Sequence, residues 1–467
     1  MIPALQQLFE NQQNKALSLR NSSYRERLQH LQTLKVALLQ HEAELITAMY
    51  ADFHKPAAEV RTTELALVYK ELQWTSARLA KWMKPKRVFS PFPYLLGRSE
   101  LYREPKGRTL IISPWNFPIQ LAIIPLIGAI AGGNTAILKP SEHTPHTSAV
   151  LEKIVTQAFQ AEHITVVQGD AAVSTALLSL AFDHIFFTGS SAVGKLVMQA
   201  AAKNLSEITL ELGGKSAAII EESAAMQDAA EKLVWGKTLN AGQSCVAPDY
   251  VLINDRMIGL FTEKLKATYA QMFPETDWKS TMCGIVSLQH FNRLNTLIAE
   301  AVAQGAKIEV GGRSDAETRH IEFTVLSGAT RDMKIMQEEI FGPIVPILGF
   351  HHLEDAIRQV NAYDKPLALY LFTKNKYVIQ KVKQNTSSGA LTINDYQVHF
   401  TNPNLPFGGV NQSGIGQYHG KYSFDTFTHE KAVFRQTGWI NVNKPLYPPM
   451  GRLGEMALRL LEKMFKR

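Results

Sequence analysis

In the stretch FFTGSSAVGK, residues 186–195, an apolar run ends at a glycine and a helical pattern follows, as in a strand that leads into a helix. Gly189 and Gly194 frame the turn between them. A glycine lets the backbone approach a ligand closely, and a helix N-terminus offers free N–H groups to a phosphate. The spacing departs from GxGxxG, so a dinucleotide site and an ordinary strand-to-helix turn both stay open for this stretch alone.

Similar apolar runs recur along the same part of the chain at intervals of roughly 20 to 30 residues, and helical patterns separate them. An interval of this length has room for one strand and its crossover helix. The four runs are TLIIS (109–113), TAILKP (135–140), ITVVQG (164–169) and HIFFTG (184–189). Strand, helix and strand in this order predict a parallel sheet covered on both faces. We therefore predict an α/β fold with a Rossmann-like, nucleotide-binding domain.

A second alternating series follows. Its strand candidates are DYVLIN (249–254), KIEVGG (307–312), IVPILGF (344–350), LALYLFT (367–373) and GALTIND (389–395). This series predicts a second α/β domain, which we take to be catalytic. The predicted division is 1–82 and 104–213 for the NAD(P)-binding domain, 214–394 for the catalytic domain, 83–103 and 395–430 for a small bridging or oligomerisation element, and 450–467 for an amphipathic C-terminal helix.

Composition narrows the class of protein. The 467 residues include 49 basic and 42 acidic ones, and a net charge of +7 scattered along the chain gives no nucleic-acid footprint. Two cysteines, Cys245 and Cys283, form no disulfide framework, which favours a reducing cytoplasm. The N-terminus shows no signal-peptide pattern. The uncharged run 117–138 is long enough to span a membrane, but its prolines and glycines predict a buried helix, a turn and a buried strand instead.

Three polar residues lie in contexts that suit catalysis. Cys245, in NAGQSCVAP (240–248), sits among small polar residues rather than in an apolar run, as a nucleophile needs. Asn116, in SPWNFP (113–118), has a rigid frame that suits a fixed hydrogen-bond donor, and Glu211, in ELGGKS (211–216), ends a strand where a carboxylate can act as a general base. Each also has a plain structural interpretation when it is taken alone.

Lys139 and Glu142 stand at the carboxyl end of a predicted strand, in ILKPSE (137–142). Open α/β sheets bind their ligands at that edge, so the pair could hold the two hydroxyls of a ribose. A surface ion pair that opens the next helix is the alternative.

In this order and in these contexts, the seven residues Asn116, Lys139, Glu142, Gly189, Gly194, Glu211 and Cys245 resemble the aldehyde dehydrogenase superfamily. The stretches EEIFGPIVPI (338–347) and NLPFGGVNQSGIGQYHGKYSFDTFTHEKAV (404–433) strengthen the likeness, which covers essentially the whole chain. The short N-terminal arm and KPLALYLF (365–372) further resemble the class 3 branch, which includes fatty and aromatic aldehyde dehydrogenases.

The resemblance implies a reaction and a set of roles. Cys245 would attack a hydrophobic aldehyde, Asn116 would hold the oxyanion of the thiohemiacetal, and Glu211 would activate the water that hydrolyses the thioester to the carboxylic acid. Lys139 and Glu142 would contact the adenosine ribose of NAD, with NADP also possible. Gly189, Ser190 and Gly194 would lie along the pyrophosphate. Glu339 and Phe341 would position the nicotinamide riboside, and Glu338 would point away in a structural role.

Several further expectations accompany this assignment. We expect a site that favours the Cys245 thiolate, with small neighbours that leave room for substrate, and pocket walls that include Tyr69, Trp115 and residues 393–401. We expect Cys283 to be a packing residue and no metal to be bound. A homodimer is expected by resemblance. The C-terminal helix, with Leu453 on one face and Arg459 on the other, could contact a membrane surface or pack on the protein's own dimer.

Two rival functions remain open at this stage. A coenzyme A-acylating aldehyde dehydrogenase would keep the cysteine but would not need a base at Glu211. A non-catalytic binding protein could reuse the same fold. The joint presence of Cys245, Asn116 and Glu211 argues against both.

Overall fold

The computed structural model describes residues 2–92, 94–274, 278–436, 438, 441 and 443–465. Its α-helices are α1 (Ile2–Leu19), α2 (Tyr24–Gln40), α3 (Glu42–Phe53), α4 (Ala57–Val60), α5 (Ala66–Trp82), α6 (Gln120–Gly132), α7 (Pro145–Ala158), α8 (Ala171–Leu178), α9 (Ser191–Ala202), α10 (Met226–Thr238), α11 (Ile258–Met272), α12 (Trp278–Thr281), α13 (Leu288–Ala303), α14 (Lys334–Gln337), α15 (Leu353–Asn361), α16 (Lys376–Asn385), α17 (Lys421–Thr426) and α18 (Arg452–Phe465). A π-helical turn, Arg61–Leu65, joins α4 to α5, and 3₁₀ turns occupy Leu239–Gly242, Asp255–Met257, His399–Thr401 and Lys444–Leu446.

The strands form three larger sheets and one short hairpin. They are β1 (Lys86–Val88), β2 (Arg98–Pro105), β3 (Arg108–Ile112), β4 (Thr135–Lys139), β5 (Ile164–Val166), β6 (His184–Thr188), β7 (Glu207–Glu211), β8 (Ala217–Ile220), β9 (Tyr250–Asn254), β10 (Lys307–Val310), β11 (Ser314–Asp315), β12 (His320–Ile321), β13 (Thr324–Ser327), β14 (Ile344–Phe350), β15 (Ala368–Phe372), β16 (Ala390–Ile393), β17 (Gly414–Ile415) and β18 (Thr428–Arg435). The predicted α/β class with parallel sheets is confirmed.

The first sheet has the strand order β17-β7-β6-β3-β4-β5, and only β17 runs antiparallel to its neighbour. Its strands β3 to β6 are the four apolar runs predicted from the sequence. Parallel strands place their carboxyl ends at one edge, so the ends of β4 at Lys139, β6 at Thr188 and β7 at Glu211 open on the same side. This edge positions the polar residues that the sequence singles out.

The second sheet has the order β10-β13-β14-β9-β8-β15-β16 and is parallel except where β10 meets β13. All five predicted strands belong to it. Two of its strands, β8 and β13, were not predicted from the sequence; each is only four residues long. Strands β8, β9, β14 and β15 are almost fully buried, as expected for a sheet covered on both faces.

The third sheet is antiparallel, with the order β1-β2-β18. The excursion predicted at 83–103 supplies β1 and most of β2. The segment predicted to accompany it, 395–430, lies mainly elsewhere: β17 pairs with β7 of the first sheet, and α17 packs against α6. The strand that completes the small sheet is β18, which extends to Arg435. The division into functional domains stays a prediction.

The apolar run 117–138 folds as α6 followed by β4, which confirms the predicted helix, turn and strand. Every residue of α6 is buried, and the turn is made by Gly133 with a φ of 82°, a conformation that glycine adopts without strain. Near the N-terminus, α2 and α3 are separate helices, because the chain bends at His41 between them. No helix among the described residues is both long and apolar enough to cross a membrane.

The predicted C-terminal helix is α18, and the last two residues of the predicted range, 466 and 467, lie outside the described residues. Its apolar side chains remain in solvent: Leu453 is 72% exposed and Met456 is 67% exposed. Within the described residues, α18 contacts the turn Lys444–Leu446, while these two side chains of its apolar face stay open to solvent.

Candidate active site

Cys245 lines a cavity of about 370 Å³ whose walls are mainly apolar. Side chains from the π-helical turn and α5, the start of α6, the end of α10 and the segment 397–419 surround it. The apolar ones are Leu67, Phe117, Leu121, Trp235, Leu239, Val246, Phe400 and Phe407. Polar groups contribute little of the wall, and they include Thr62, Thr63, Gln120, Ser244 and His419. Such a cavity suits an apolar ligand with one reactive polar end.

The predicted pocket walls are right in part. Residues 397, 398, 400 and 401 line the cavity, as expected for the segment 393–401. Tyr69 is not in the wall; its hydroxyl donates to Glu42 Oε2 at 3.0 Å. Trp115 is not in the wall either and packs edge-on against the Phe341 ring at 5.3 Å.

A strained turn presents the cysteine. Asn240 and Ala241 both have left-handed backbones, with φ of 52° and 49°, directly before Gly242 at 68°. A left-handed non-glycine residue costs about 1–2 kcal/mol, so the surrounding contacts must hold this turn. A Cβ on Gly242 would lie 2.2 Å from the carbonyl oxygen of Gly342. The small residue at 242 thus serves close backbone packing rather than room for substrate.

Asn116 lies against the same turn and is 3% exposed. Its Nδ2 donates to the carbonyl of Gln243 at 3.1 Å, and its own carbonyl accepts from Asn240 Nδ2 at 2.9 Å. The primary amide has two N–H groups, so one is left to donate elsewhere. The structure therefore brings the predicted oxyanion donor to the loop of the predicted nucleophile.

Glu211 ends β7 and is 2% exposed, and neither of its carboxylate oxygens has a hydrogen-bond partner among the described residues. Burial raises the pKa of this carboxyl well above its usual range. An acid without partners in a cleft is unusual in a folded protein and marks a group kept for chemistry.

The environment of Cys245 differs from the expectation of a thiolate-favouring site. Burial, followed by the negative charges of Glu339 and Glu211, raises the pKa of the Cys245 thiol to about 12. The backbone N–H groups of Cys245 and Val246 act in the opposite direction, but more weakly. Since two carboxylates and a thiol share one buried region, the protein alone keeps the sulfur protonated. The other cysteine, Cys283, is 1% exposed, as predicted for a packing residue.

Lys139 and Glu142 form an ion pair of 2.7 Å between Nζ and Oε2 at the end of β4. The lysine is buried and the carboxylate is partly exposed, so the carboxylate is the member of the pair that solvent or a ligand can reach. This placement matches the ligand-binding edge of the first sheet.

The glycine turn between β6 and α9 is bonded directly to the backbone of Glu211. Gly189 N–H donates to the carbonyl of Glu211 at 3.0 Å, and a Cβ on Gly194 would lie 2.8 Å from Leu212. Ser190 is the N-cap of α9, and its hydroxyl accepts from Val193 N–H at 3.4 Å. The N-terminus of α9 thus opens on the edge that carries Glu211.

The Glu339 carboxylate lies against the backbone just beyond the end of β7, because a Cβ on Gly213 would be 2.2 Å from its Oε2. Burial and the charge of Asp249 raise the pKa of Glu339 to about 8, opposed by Gly214 N–H and by Lys215 and Lys237. Phe341 follows with a φ of 52°. The Glu338 side chain points the other way from that of Glu339, as the resemblance implied. Its Oε1 pairs with Arg293 Nη1 at 2.8 Å.

Sequence reasoning missed a buried charged cluster behind this glutamate. The Asp249 carboxylate pairs with Lys215 and accepts from Ile340 N–H at 2.9 Å, and the Lys215 ammonium also donates to the carbonyls of Ile335 and Glu338. Lys237 is fully buried, and its Nζ has no hydrogen-bond partner in the described part of the chain. Burial lowers the pKa of Lys237 to about 8. Two sequence signals could have pointed to the ion pair: Lys215 in KSAAII and Asp249 in PDYVLI each lie beside a buried strand. No feature of the sequence marks Lys237 as buried.

The donor set suits a dinucleotide. The N-terminus of α9, the Lys139–Glu142 pair at the same edge of the sheet and a second carboxylate against a glycine backbone can meet a pyrophosphate and two riboses. Over residues 2–92, 94–274 and 278–436, and in the short described pieces beyond, no group of three or more His, Cys, Asp and Glu could hold a metal ion.

Comparison with known proteins agrees with this geometry. Residues 4–433 match the model of the "Aldehyde dehydrogenase family". The chain is 43% identical over 431 residues to the 4,4′-diaponeurosporen-aldehyde dehydrogenase of Staphylococcus aureus (strain NCTC 8325 / PS 47), covering 92% of each protein.

Two solved structures are also similar. The substrate-bound state of Staphylococcus aureus AldH superposes with a TM-score of 0.94 at 40% identity, covering 97% of this chain and 99% of that one. Betaine aldehyde dehydrogenase from Staphylococcus aureus in complex with NAD⁺ has a TM-score of 0.84 at 26% identity, covering 94% of this chain and 88% of that one.

The protonation of the thiol gives a first prediction. Iodoacetamide should alkylate Cys245 at a rate that rises about tenfold per pH unit from pH 7 to 10 without levelling off, because the thiolate fraction keeps growing below a pKa of about 12. Peptide mass spectrometry after timed quenching measures the rate. Buried Cys283 is the internal control and should stay unmodified in the native protein. A plateau below pH 9 contradicts the proposed environment.

Proposed function

Because the chain belongs to the aldehyde dehydrogenase family, we propose that it oxidises a hydrophobic aldehyde to the carboxylic acid with NAD as hydride acceptor and Cys245 as the nucleophile. One observation carries the proposal. A thiol that lines an apolar cavity shares its surroundings with an amide that has a free N–H group and a buried carboxylate that has no partner. Nucleophile, oxyanion donor and base are the three groups that acyl chemistry requires.

The first step is addition of the sulfur to the aldehyde carbon. Since the thiol is protonated in the protein alone, its proton must leave as the C–S bond forms, and the buried carboxylates are the bases at hand. The tetrahedral thiohemiacetal carries an oxyanion. We assign its stabilisation to the remaining N–H of the Asn116 amide and to the Cys245 backbone N–H.

Lys139 and Glu142 would hold the adenosine ribose, and Gly189, Ser190 and Gly194 the pyrophosphate. Glu339 and Phe341 would hold the nicotinamide riboside. The bound cofactor supplies the hydride acceptor. The carboxylate of Glu142 disfavours a 2′-phosphate, which supports NAD over NADP.

Glu211 acts in the second half of the reaction. Loss of hydride leaves a thioester on Cys245, and its hydrolysis needs a base that removes a proton from water. In its ionised form, a carboxylate whose pKa is raised by burial is a stronger base than an exposed one, and Glu211 has no hydrogen bond to give up before it acts. This argument also favours hydrolysis over transfer of the acyl group to coenzyme A.

The apolar cavity supports a hydrophobic substrate, such as a medium- or long-chain aliphatic or an aromatic aldehyde. Phenylalanine, leucine and tryptophan side chains form much of its wall, and burying each methylene of a substrate there is worth about 0.8 kcal/mol. The relative named for 4,4′-diaponeurosporen-aldehyde points in the same direction.

The exposed face of α18 supports contact with an anionic membrane surface. Leu453, Met456 and Phe465 are largely exposed, and Arg459 and Lys463 supply cationic charge on the same short helix. An apolar face with flanking cations fits the boundary between lipid headgroups and acyl chains.

We also propose a homodimer. The exposed side chains of Phe434 on the small sheet and of Phe89 in the segment beside it support this proposal. The cytoplasmic location stays a prediction.

Glu211→Gln tests the proposed reaction. It should release about one equivalent of NADH per site and then turn over at least about 100-fold more slowly, since the amide cannot accept a proton from water. Stopped-flow NADH fluorescence measures the burst, and mass spectrometry identifies the acyl group on Cys245. Glu207→Gln, an exposed carboxylate on the same strand, is the matched control and should turn over normally. Unchanged steady-state turnover in Glu211→Gln contradicts the assignment.

A graded series of aldehydes tests the substrate class. From propanal to decanal, kcat/KM should rise about fourfold per methylene until the cavity is filled, as the transfer energy of a methylene requires. NADH absorbance gives the rates. Leu67→Asp should remove the advantage of decanal while sparing propanal, because it puts a charge in the wall. A flat series would argue for a polar substrate.

Truncation after Met450 tests the role of α18. The full chain should sediment with phosphatidylglycerol vesicles but not with phosphatidylcholine ones, and the truncated chain with neither, while both keep their NADH-forming activity. Leu460→Asp should weaken binding, whereas Leu260→Asp, an exposed leucine on α11, should not. Equal sedimentation of full and truncated chains refutes the membrane role. So does loss of self-association on truncation without any vesicle binding, which assigns α18 to a second copy.

A further inference from the structure

The side-chain amide of Asn240 joins the two loops that carry the proposed oxyanion donor and nucleophile. Its Nδ2 donates to the carbonyl of Asn116 at 2.9 Å and to the carbonyl of Gln243 at 3.0 Å. Asn240 is fully buried, and a primary amide has two N–H groups, so both are used in this bridge. One loop follows β3 and the other follows α10, more than a hundred residues later in the chain.

The carbonyl of Gln243 is the point at which the two loops meet. It accepts from Asn240 Nδ2 and also from Asn116 Nδ2 at 3.1 Å, so both of its lone pairs are occupied. One N–H of the Asn116 amide is thereby fixed. Because the amide is planar, fixing one N–H also fixes the direction of the other, which the proposed function assigns to the oxyanion.

A single segment, α4 with the π-helical turn that follows it, anchors this bridge. Glu59, at the end of α4, accepts the backbone N–H of Asn240 through Oε1 at 2.6 Å. Glu64, one helical turn later, accepts the backbone N–H groups of Ile119 and Gln120 through Oε2 at 3.1 and 2.8 Å. The nucleophile loop and the start of α6 are therefore held by two carboxylates of one segment. Lys55 pairs with Glu64 at 3.2 Å.

The left-handed backbone of Asn240 fits the same role. Asparagine tolerates this conformation better than most residues, and glycine adopts it freely, so the backbone requirement can be separated from the amide requirement.

We propose that Asn240 is a positioning residue for the reaction, which acts through Asn116 by aiming the oxyanion donor at the carbonyl held by Cys245, with Glu59 fixing Asn240 in place. The inference rests on the proposed function, since it needs Asn116 as the oxyanion donor. A misplacement of about 1 Å in such a group lowers turnover by about 100-fold, so the bridge is worth measuring.

A double-mutant cycle tests whether Asn240 acts through Asn116. Asn240→Gly keeps the left-handed turn but removes both donors, and it should lower kcat about 10- to 100-fold in the wild-type background. In the Asn116→Ala background it should lower kcat less than about threefold, because the donor it aims is already gone. Alkylation of Cys245 by iodoacetamide should be nearly unchanged by Asn240→Gly, since the thiol does not depend on the oxyanion donor.

Asn134→Ala is the matched control. Asn134 is also fully buried, and its amide donates to the carbonyls of Ala129 and Phe427 at 3.1 and 2.8 Å, away from the cysteine loop. It should lower the melting temperature, and any effect on kcat should be the same in both backgrounds.

The outcomes separate the two hypotheses. If Asn116→Ala keeps full kcat, the oxyanion role in the proposed function fails, and this inference fails with it. If Asn116→Ala is slow but Asn240→Gly lowers kcat by the same factor in both backgrounds, or slows alkylation as much as turnover, only the positioning role is overturned.

Glu59 provides a second pair of variants in case Asn240→Gly folds poorly. Glu59→Gln keeps an oxygen that can accept from Asn240 N–H and should retain kcat within about threefold, whereas Glu59→Ala should lose about tenfold in the wild-type background and little in the Asn116→Ala background. Equal losses in Glu59→Gln and Glu59→Ala, or an Ala loss that persists without Asn116, contradict the proposal.

Discussion

The active site depends on one electrostatic constraint, which is that a thiol and two carboxylates share a region with little solvent. Cys245, Glu211 and Glu339 each have a raised pKa, and for all three burial is the largest cause. No two of these groups can readily be anionic together, so a proton that leaves the sulfur must be taken up nearby. In the protein alone, this environment disfavours a preformed thiolate. The buried ammonium groups of Lys215 and Lys237 offset part of this negative charge near Glu339.

The fold places these groups by a simple rule of parallel sheets. Strands β4, β6 and β7 end at one edge, so Lys139, the glycine turn and Glu211 lie on the same side of the first sheet. The strained turn before Cys245 is held by three other segments: Gly242 packs against the backbone of Gly342, and Asn240 bonds to the carbonyl of Asn116 and to the Glu59 carboxylate. Strain of this kind persists only where many contacts hold it.

Much of this arrangement follows from local sequence. The strands of the first sheet and Asn116, Glu211 and Cys245 lie in short stretches whose residue types suit their environments, and resemblance added their roles. Asn240, Asp249 and Lys237 were not found, because their importance arises from partners that are distant in the chain. A lysine with no partner looks in sequence like any lysine on a helix, and only packing shows that it is fully buried. The pKa of Cys245 was wrongly anticipated for the same reason, since its neighbouring carboxylates come from two other segments.

The pairing of β17 with β7 has a consequence for how the protein is made. Gly414 lies opposite Glu211, and Leu212 N–H donates to the carbonyl of Ser413 at 3.1 Å, so the strand of the base is completed by residues about two hundred positions later. While a ribosome is still translating, the first half of the chain can collapse, but the open side of β7 has nothing to pair with until nearly the whole message has been read. Nascent chains of this protein should thus carry an unprotected β-edge while about two hundred residues are added, the period in which a chaperone has the most to shield.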